Sequence, residues 1–234
     1  MGLLHKLSAE PIVSKSANLR HSTSEFETSS GTSGTANSIP RRIRDPNFLM
    51  RYFVGRGIDI GATVSNTLGN YCEFFPLCKS IKSWDIDDGD AQYMEGVPDK
   101  RYDFVHSSHC LEHIIDPYKA LEHWWRILRP GGHLIVIVPD EDLYEQGVWP
   151  SQFNGDHIWS FTTYKDKSWC PTSINVFTLL TWLANVNPDV DIIKVERLIA
   201  THRFHAATHD QSATHLGEPA IEFVVRKTHV RQGQ

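Results

Sequence analysis

Three groups of residues in this 234-residue chain have the types and spacing to do chemistry. The first is acidic. Asp59 lies in the short run Gly57-Ile58-Asp59-Ile60-Gly61, and Asp85, Asp87, Asp88 and Asp90 crowd around Gly89, just after Ser80-Ile81-Lys82-Ser83-Trp84. A carboxylate at the end of the second strand of a doubly wound sheet can accept hydrogen bonds from both hydroxyls of a ribose, and Asp85 is the residue placed for that task. A solvated acidic loop is the alternative. The second group is drawn from the thirteen histidines. His109 and His113 follow the apolar run at 102–106, and His157 is preceded by Asp156, so each imidazole is a candidate to remove a proton near neutral pH. His113 also has a structural reading, fixing the approach to a helix that starts at Asp116. The third group is Asp140, Glu141 and Asp142, which with His157 offer oxygen and nitrogen donors to a divalent metal. Adjacent acids at a strand end more often cap helices or face solvent, so no metal is expected.

These groups need a frame. Apolar runs at 57–61, 80–84, 102–106 and 133–139 are each followed by polar residues, the pattern of strands in a parallel sheet covered on both faces. Ligands of such sheets sit outside the carboxyl ends of the strands, where all three groups fall. Asp116 is a helix cap, Pro117 suits the first helical position, and Gly131-Gly132 is expected to close the helix. Leu121, Trp124, Trp125 and Leu128 form its apolar stripe, while Arg126 and Arg129 complement the dipole of its last turn. Residues 140–171 are irregular and rich in aromatic side chains, which marks a substrate lid. A helix is expected over 173–186, with Ile174, Phe177, Leu180 and Leu183 or Ala184 inward. Strands at 192–200 and 220–226, joined by a histidine-rich loop, close the domain.

Residues 8–39 are dominated by Ser, Thr, Gly and Asn with Phe26 as their one aromatic, too little apolar surface to offset ordering entropy. A disordered leader over 1–40 and a folded domain over 41–230 follow. The composition, 40% hydrophobic and 22% charged, is that of a soluble globular protein. A formal charge of -5 and a pI near 6.2 argue against nucleic acid as the main partner. No apolar stretch is long enough to span a membrane. Cys72, Cys78, Cys110 and Cys170 fit no zinc spacing, and a reducing, cytoplasmic setting is expected.

The ordered set Gly89-Asp90-Ala91, Tyr102-Asp103-Phe104-Val105, Leu111-Glu112-His113 and Leu128-Arg129-Pro130-Gly131-Gly132 resembles the class I S-adenosylmethionine-dependent methyltransferases, in particular their broad methyltransferase-11-like group. The resemblance is strong over about 50–140. It implies a Rossmann-like, doubly wound α/β fold with a mostly parallel sheet and an antiparallel C-terminal edge. By position it also implies that Asp59, Gly61 and Ala62 line the methionine end of S-adenosylmethionine and Asp85 holds the ribose. Asp90 and Ala91 would meet the adenine, and Ser107 and Ser108 would border the methionine portion. The loop at 62–66 lacks GxGxxG, which weighs against a dinucleotide and suits a cofactor without phosphate. Two departures stand out: Thr63 and Ser65 replace further glycines of the family, and Asp85 and Asp90 are so close that the elements normally between them must be shortened or missing. The expected activity is methylation of a small-molecule or glycan-type acceptor at oxygen or nitrogen. The alternative is a binding module that keeps the fold without turnover.

Overall fold

The computed structural model describes residues 34–204 and 208–229. Its centre is a six-stranded sheet in the order β2-β1-β3-β4-β8-β7, formed by β1 (Gly55–Ile60), β2 (Cys78–Trp84), β3 (Tyr102–Ser108), β4 (Leu128–Pro139), β7 (Val190–Arg197) and β8 (Ala220–Lys227). The first four strands are parallel, and β8 runs antiparallel between β4 and β7. This is the expected Rossmann-like sheet with its antiparallel C-terminal edge. From β1 the chain turns one way to β2 and the other way to β3, so the topological switch point lies between β1 and β3.

Alternation along the strands builds two cores. Ile58, Ile60, Val105 and Val136 pack on one face with Trp124, Trp125, Leu179 and Leu183. Phe104, Ile135 and Val224 face the opposite way, into an aromatic layer with Phe48, Phe53 and Phe75. The shortening expected between Asp85 and Asp90 is visible: β2 leads to β3 through turns alone, and β1 leads to β2 through a 3-10 turn at Leu68–Phe74.

Helix α2 (Pro117–Ile127) starts as expected, with the Asp116 carboxylate accepting from Lys119 N at 3.0 Å, and Leu121, Trp124 and Trp125 are buried. Its end differs. The Arg126 and Ile127 carbonyls accept from Lys100 N and Arg101 N, and the chain leaves directly into β4. Gly131-Gly132 therefore lies inside β4, where Gly131 takes φ +87° at a shift in register against β3, and Arg129 is a strand residue bonded to Asp103 and the Lys100 carbonyl.

Two other boundaries are corrected. Ser173–Asn175 is a strand, β6, paired in parallel with β5 (Ser160–Thr162), and Asn175 caps α3 (Val176–Val186) by accepting from Phe177 N and Thr178 N. That cap turns Val176, Leu179, Leu180 and Leu183 inward and leaves Phe177 half exposed. The folded chain also begins earlier than residue 41. Helix α1 (Gly34–Arg42) includes residues 34–40, assigned above to the leader. Ile39 enters the aromatic layer, but most of the helix's contacts are polar: Asn37 Nδ2 donates to the Ser212 and Gly217 carbonyls, and Arg41 and Arg42 pair with Glu218 and Glu222 of the C-terminal segment. The rest of the expected leader, 1–33, lies outside the described residues. No described helix is long and apolar enough to cross a membrane.

Candidate active site

A cavity of about 590 Å3 opens at the carboxyl ends of β1, β2 and β3, at the switch point. β1 delivers Gly61, β2 delivers Trp84 and Asp85, the following turn delivers Asp90 and Ala91, and the segment after β3 delivers His109, Cys110 and His113. Of the residues expected to bind cofactor, Gly61, Asp85, Asp90 and Ala91 are thus brought together.

The acidic turn is held by its own backbone. Asp85 N donates to Asp88 Oδ2, Trp84 Nε1 to the Gly89 carbonyl, and Gln92 N to Asp90 Oδ1 at 2.7 Å, while Lys82 pairs with Asp88 at 3.1 Å. Gln92 Oε1 accepts from Asp116 N, and Trp124 Nε1 donates to the Ala91 carbonyl, so the turn is anchored to the start and the buried face of α2. The Asp85 carboxylate has no protein hydrogen-bond donor among the described residues, which leaves it for a ligand.

Gly61 sits at φ +83°, and a Cβ there would collide with the Cys110 side chain. Only glycine brings this backbone to the cavity wall. The wall carries apolar Trp84, Ile86, Tyr93, Ile114 and Ile115, two carboxylates, and neither lysine nor arginine. Such a lining fits a cationic nucleoside without phosphate: flat apolar surface for a base, carboxylates for hydroxyl and amino donors, and no fixed cation to oppose a sulfonium.

The remaining expected residues lie elsewhere. Asp59 pairs in register with His106 across β1 and β3, and its carboxylate is 1% exposed. Oδ1 is 2.5 Å from His106 Nδ1, and Oδ2 accepts from Thr67 Oγ1 and Leu68 N at 2.9 and 2.6 Å. Arg42 donates to His106 Nε2 at 2.9 Å. A guanidinium only donates, so Nε2 accepts, and the His106 proton sits on Nδ1 facing Asp59. Burial, with Arg42 beside it, keeps the His106 ring below its ordinary pKa despite the Asp59 charge. Asp59 therefore ties down the loop that follows β1 and is not a cavity residue. Ala62 is buried and Ser107 Oγ donates to the Ile60 carbonyl at 3.0 Å, so both are packed between strand ends away from the cavity lining. Ser108 does not line the cavity either, and its buried Oγ has no hydrogen-bond partner.

His157 stands behind His113, ring centres 5.0 Å apart, rather than on the wall. The segment carrying it docks through Ile158 N and Trp159 N, which both donate to the Glu112 carbonyl, at 2.9 and 3.1 Å. The Glu112 side chain is fully buried under three imidazoles: His109 Nδ1 at 3.4 Å, His157 Nε2 at 3.9 Å and His113 Nε2 at 4.0 Å from Oε1. Burial pushes the Glu112 carboxyl up, and the three rings pull it down further, to below its ordinary pKa. Glu112 was visible in the sequence only as the middle of Leu111-Glu112-His113, and Glu145, which meets His157 Nδ1 at 2.8 Å, carried no signal. The acids considered for a metal are engaged otherwise: Asp140 pairs with Arg197, Glu141 with Lys165 and Ser168, and Asp142 with Lys165, Tyr164 and Trp169.

Comparison with known proteins agrees with this geometry. No curated protein matches the sequence. Among solved structures, a chain of the complex formed by the Haloferax volcanii Trm112 methyltransferase activator superposes with TM-score 0.54 at 12% identity, covering 84% of this chain and 91% of that one. An S-adenosylmethionine-dependent methyltransferase of Clostridium acetobutylicum gives 0.51 at 13% identity, with 84% and 92% covered. The plantazolicin methyltransferase BpumL, bound to a triazolic desmethyl analog and S-adenosylhomocysteine, gives 0.52 at 12%, with 83% and 86% covered. At these identities the likeness is one of fold. The family described as Methyltransferase domain matches residues 44–170. Matched over more than half its length, the chain belongs to that family: it is an S-adenosylmethionine-dependent methyltransferase.

Proposed function

We propose that this enzyme methylates a small-molecule or glycan-type acceptor at oxygen or nitrogen, and that the cavity at the switch point is where it does so. The observation that carries the reading is the Asp85 carboxylate, fixed at the end of β2 without a protein donor among the described residues, on a wall whose described residues include no lysine or arginine. Asp85 takes the ribose hydroxyls, and the apolar side chains beside Asp90 and Ala91 take the adenine. Gly61 lets the methionine end lie against bare backbone. Asp59, Ala62, Ser107 and Ser108 act on this end indirectly, by holding the strand termini.

When bound, the cofactor supplies a methyl group already activated by its sulfonium. The protein's task is to align an acceptor with that group in a water-poor pocket, an effect on the order of 7 to 11 kcal/mol in well-oriented systems. Where the acceptor carries a proton, His109 is placed to remove it: it lines the cavity, and the Glu112 carboxylate lies 3.4 Å from its Nδ1. Residues 140–171 form the acceptor side, docked over the Glu112 turn. The charge of -5 counts against nucleic acid as the acceptor. The four cysteines are unpaired, in keeping with a reducing cytoplasm.

Calorimetric titration tests the cavity assignment. Asp85→Ala removes two hydrogen bonds to a charged acceptor and is expected to weaken S-adenosylmethionine binding by roughly 100-fold, taking about 1.5 kcal/mol for each. Unchanged affinity in a folded variant refutes the assignment of the ribose to Asp85.

A further inference from the structure

Glu112, His113 and His157 present one ligand atom each, a carboxylate oxygen and two imidazole nitrogens, all within 4.8 Å of one another. Their protonation is set by what lies behind them. His113 Nδ1 is 3.0 Å from the Asp156 carbonyl, and a carbonyl only accepts, so Nδ1 holds the proton and Nε2 keeps a lone pair. His157 Nδ1 faces the Glu145 carboxylate at 2.8 Å, which holds a proton there and makes Nε2, directed at Glu112, the nitrogen with the lone pair in the neutral ring. Both Glu112 carboxylate oxygens are buried without a hydrogen-bond partner. In the neutral rings both Nε2 lone pairs therefore face the buried Glu112 carboxylate, which also has His109 Nδ1 3.4 Å from Oε1.

Neither His113 nor His157 reaches Glu112 by a hydrogen bond, and only His109 Nδ1, at 3.4 Å, comes near that range. His157 Nε2 and His113 Nε2 are 3.9 and 4.0 Å from Glu112 Oε1, beyond hydrogen-bond reach. Ligand bonds of about 2.0 to 2.2 Å set neighbouring donor atoms roughly 3 to 3.5 Å apart around one ion, so donors now within 4.8 Å of one another close the shell by moving together by about half to one and a half ångström, within the reach of side-chain rotation. Both rings also have the supports that ligand histidines carry, a carboxylate behind one and a backbone carbonyl behind the other. The backbone is fixed by the two amides of Ile158 and Trp159 on the Glu112 carbonyl.

We propose that Glu112, His113 and His157 form a binding site for a divalent metal ion of the borderline class, such as Zn2+ or Co2+ rather than Ca2+. Two imidazoles and one carboxylate select such ions over hard cations that demand an oxygen shell. His113 is shared between this cluster and the cavity wall, so the open coordination positions face the cavity. An ion there has room for an oxygen of the acceptor, a consequence that rests on the cavity being the methyl-transfer site. The metal site itself does not rest on it.

The test is metal binding, without cofactor. The full chain, stripped with chelator, is titrated calorimetrically with ZnCl2 and with CoCl2. One equivalent is expected to bind, with at least tenfold weaker binding in Glu112→Gln, His113→Ala and His157→Ala, and unchanged binding in His123→Ala. Glu145→Gln leaves all three ligands in place and is expected to weaken binding 10- to 100-fold. Loading the wild-type chain with Co2+ reports the site independently of any variant, through the visible bands of a four- or five-coordinate ion. Absence of stoichiometric binding and of Co2+ bands overturns the proposal. So does binding retained in both Glu112→Gln and His157→Ala, which means an adventitious ion only. Failure of S-adenosylmethionine to bind the same preparation would refute the cavity assignment while leaving the metal result standing.

Discussion

Replacing Asp59 by Asn separates a residue that holds the active-site loop from one that touches the ligand. The change keeps shape and volume and converts one carboxylate oxygen into an NH2 group. In the structure Oδ1 faces the Nδ1 proton of His106, and Oδ2 faces the Leu68 amide and the Thr67 hydroxyl. Whichever way the Asn side chain turns, its NH2 meets a donor. The Thr67 hydroxyl can rotate away, but the Leu68 N–H is fixed, and His106 cannot move its proton to Nε2 without opposing Arg42. One hydrogen bond to a charged group is lost, worth about 1.5 to 3 kcal/mol, and a buried donor is left unpaired, so the cost is about 3 kcal/mol or somewhat more. For a domain of this size each kcal/mol shifts Tm by roughly 2 to 4 °C, which predicts a fall of about 6 to 12 °C. Thermal unfolding followed by circular dichroism, with and without saturating S-adenosylmethionine, reads both roles at once. The expected result is a lower Tm in the absence of ligand together with a surviving ligand-induced rise. An unliganded Tm within about 2 °C of wild type, combined with loss of the ligand-induced rise, would show that the carboxylate contacts the ligand directly, and the argument would fail.

Two further predictions concern the supports of the site. Glu222→Gln leaves the fully buried Arg42 without its ion-pair partner and takes a shared partner from Arg41 and Lys194 beside it, so stability is expected to fall by about 3 to 5 kcal/mol, measured as the urea midpoint; an unchanged midpoint would refute a stabilising role for this cluster. Burial, with Arg226 and Arg51 nearby, pushes the His133 ring down to about 4, against an unfolded value of roughly 6.5. Between those values the unfolded chain takes up a proton that the folded chain refuses, so this contribution is complete above about pH 6.5 and declines as the pH falls to about 4. His133→Gln should flatten the acid limb of stability plotted against pH, and an identical slope in both proteins would contradict it.

What was legible in the sequence was local. The Asp116-Pro117 start and the Leu121, Trp124, Trp125 stripe need only neighbours along one helix, and the buried strands announce themselves as apolar runs. Asp85 was readable for the same reason, as the first residue beyond such a run. Asp59 shows the limit. Inside a strand buried on both faces there is no hydrophobic alternation to reveal which way a side chain points, and its register partner His106 comes 47 residues later. Helix α1 was missed because its segment is polar: it is held by Asn37, Arg41 and Arg42 through partners about 180 residues away, and no local composition records them. His113 and His157 each stood out as single histidines. Their convergence on Glu112 depends on the Ile158 and Trp159 amides reaching back across 45 residues or more, a tertiary fact.

The chain of contacts from Glu222 through Arg42 and His106 to Asp59 also decides how small this enzyme can be made. The composition changes near Ile43, and a gene fragment cut there would look like a tidy minimal domain. It would remove both arginines from Glu222 and strip His106 of the donor that sets its tautomer, so the damage would emerge at the Thr67-Leu68 loop that follows β1. A polar helix with little apolar surface of its own is in this protein an internal part, and any truncation, fusion or circular permutation has to carry it along.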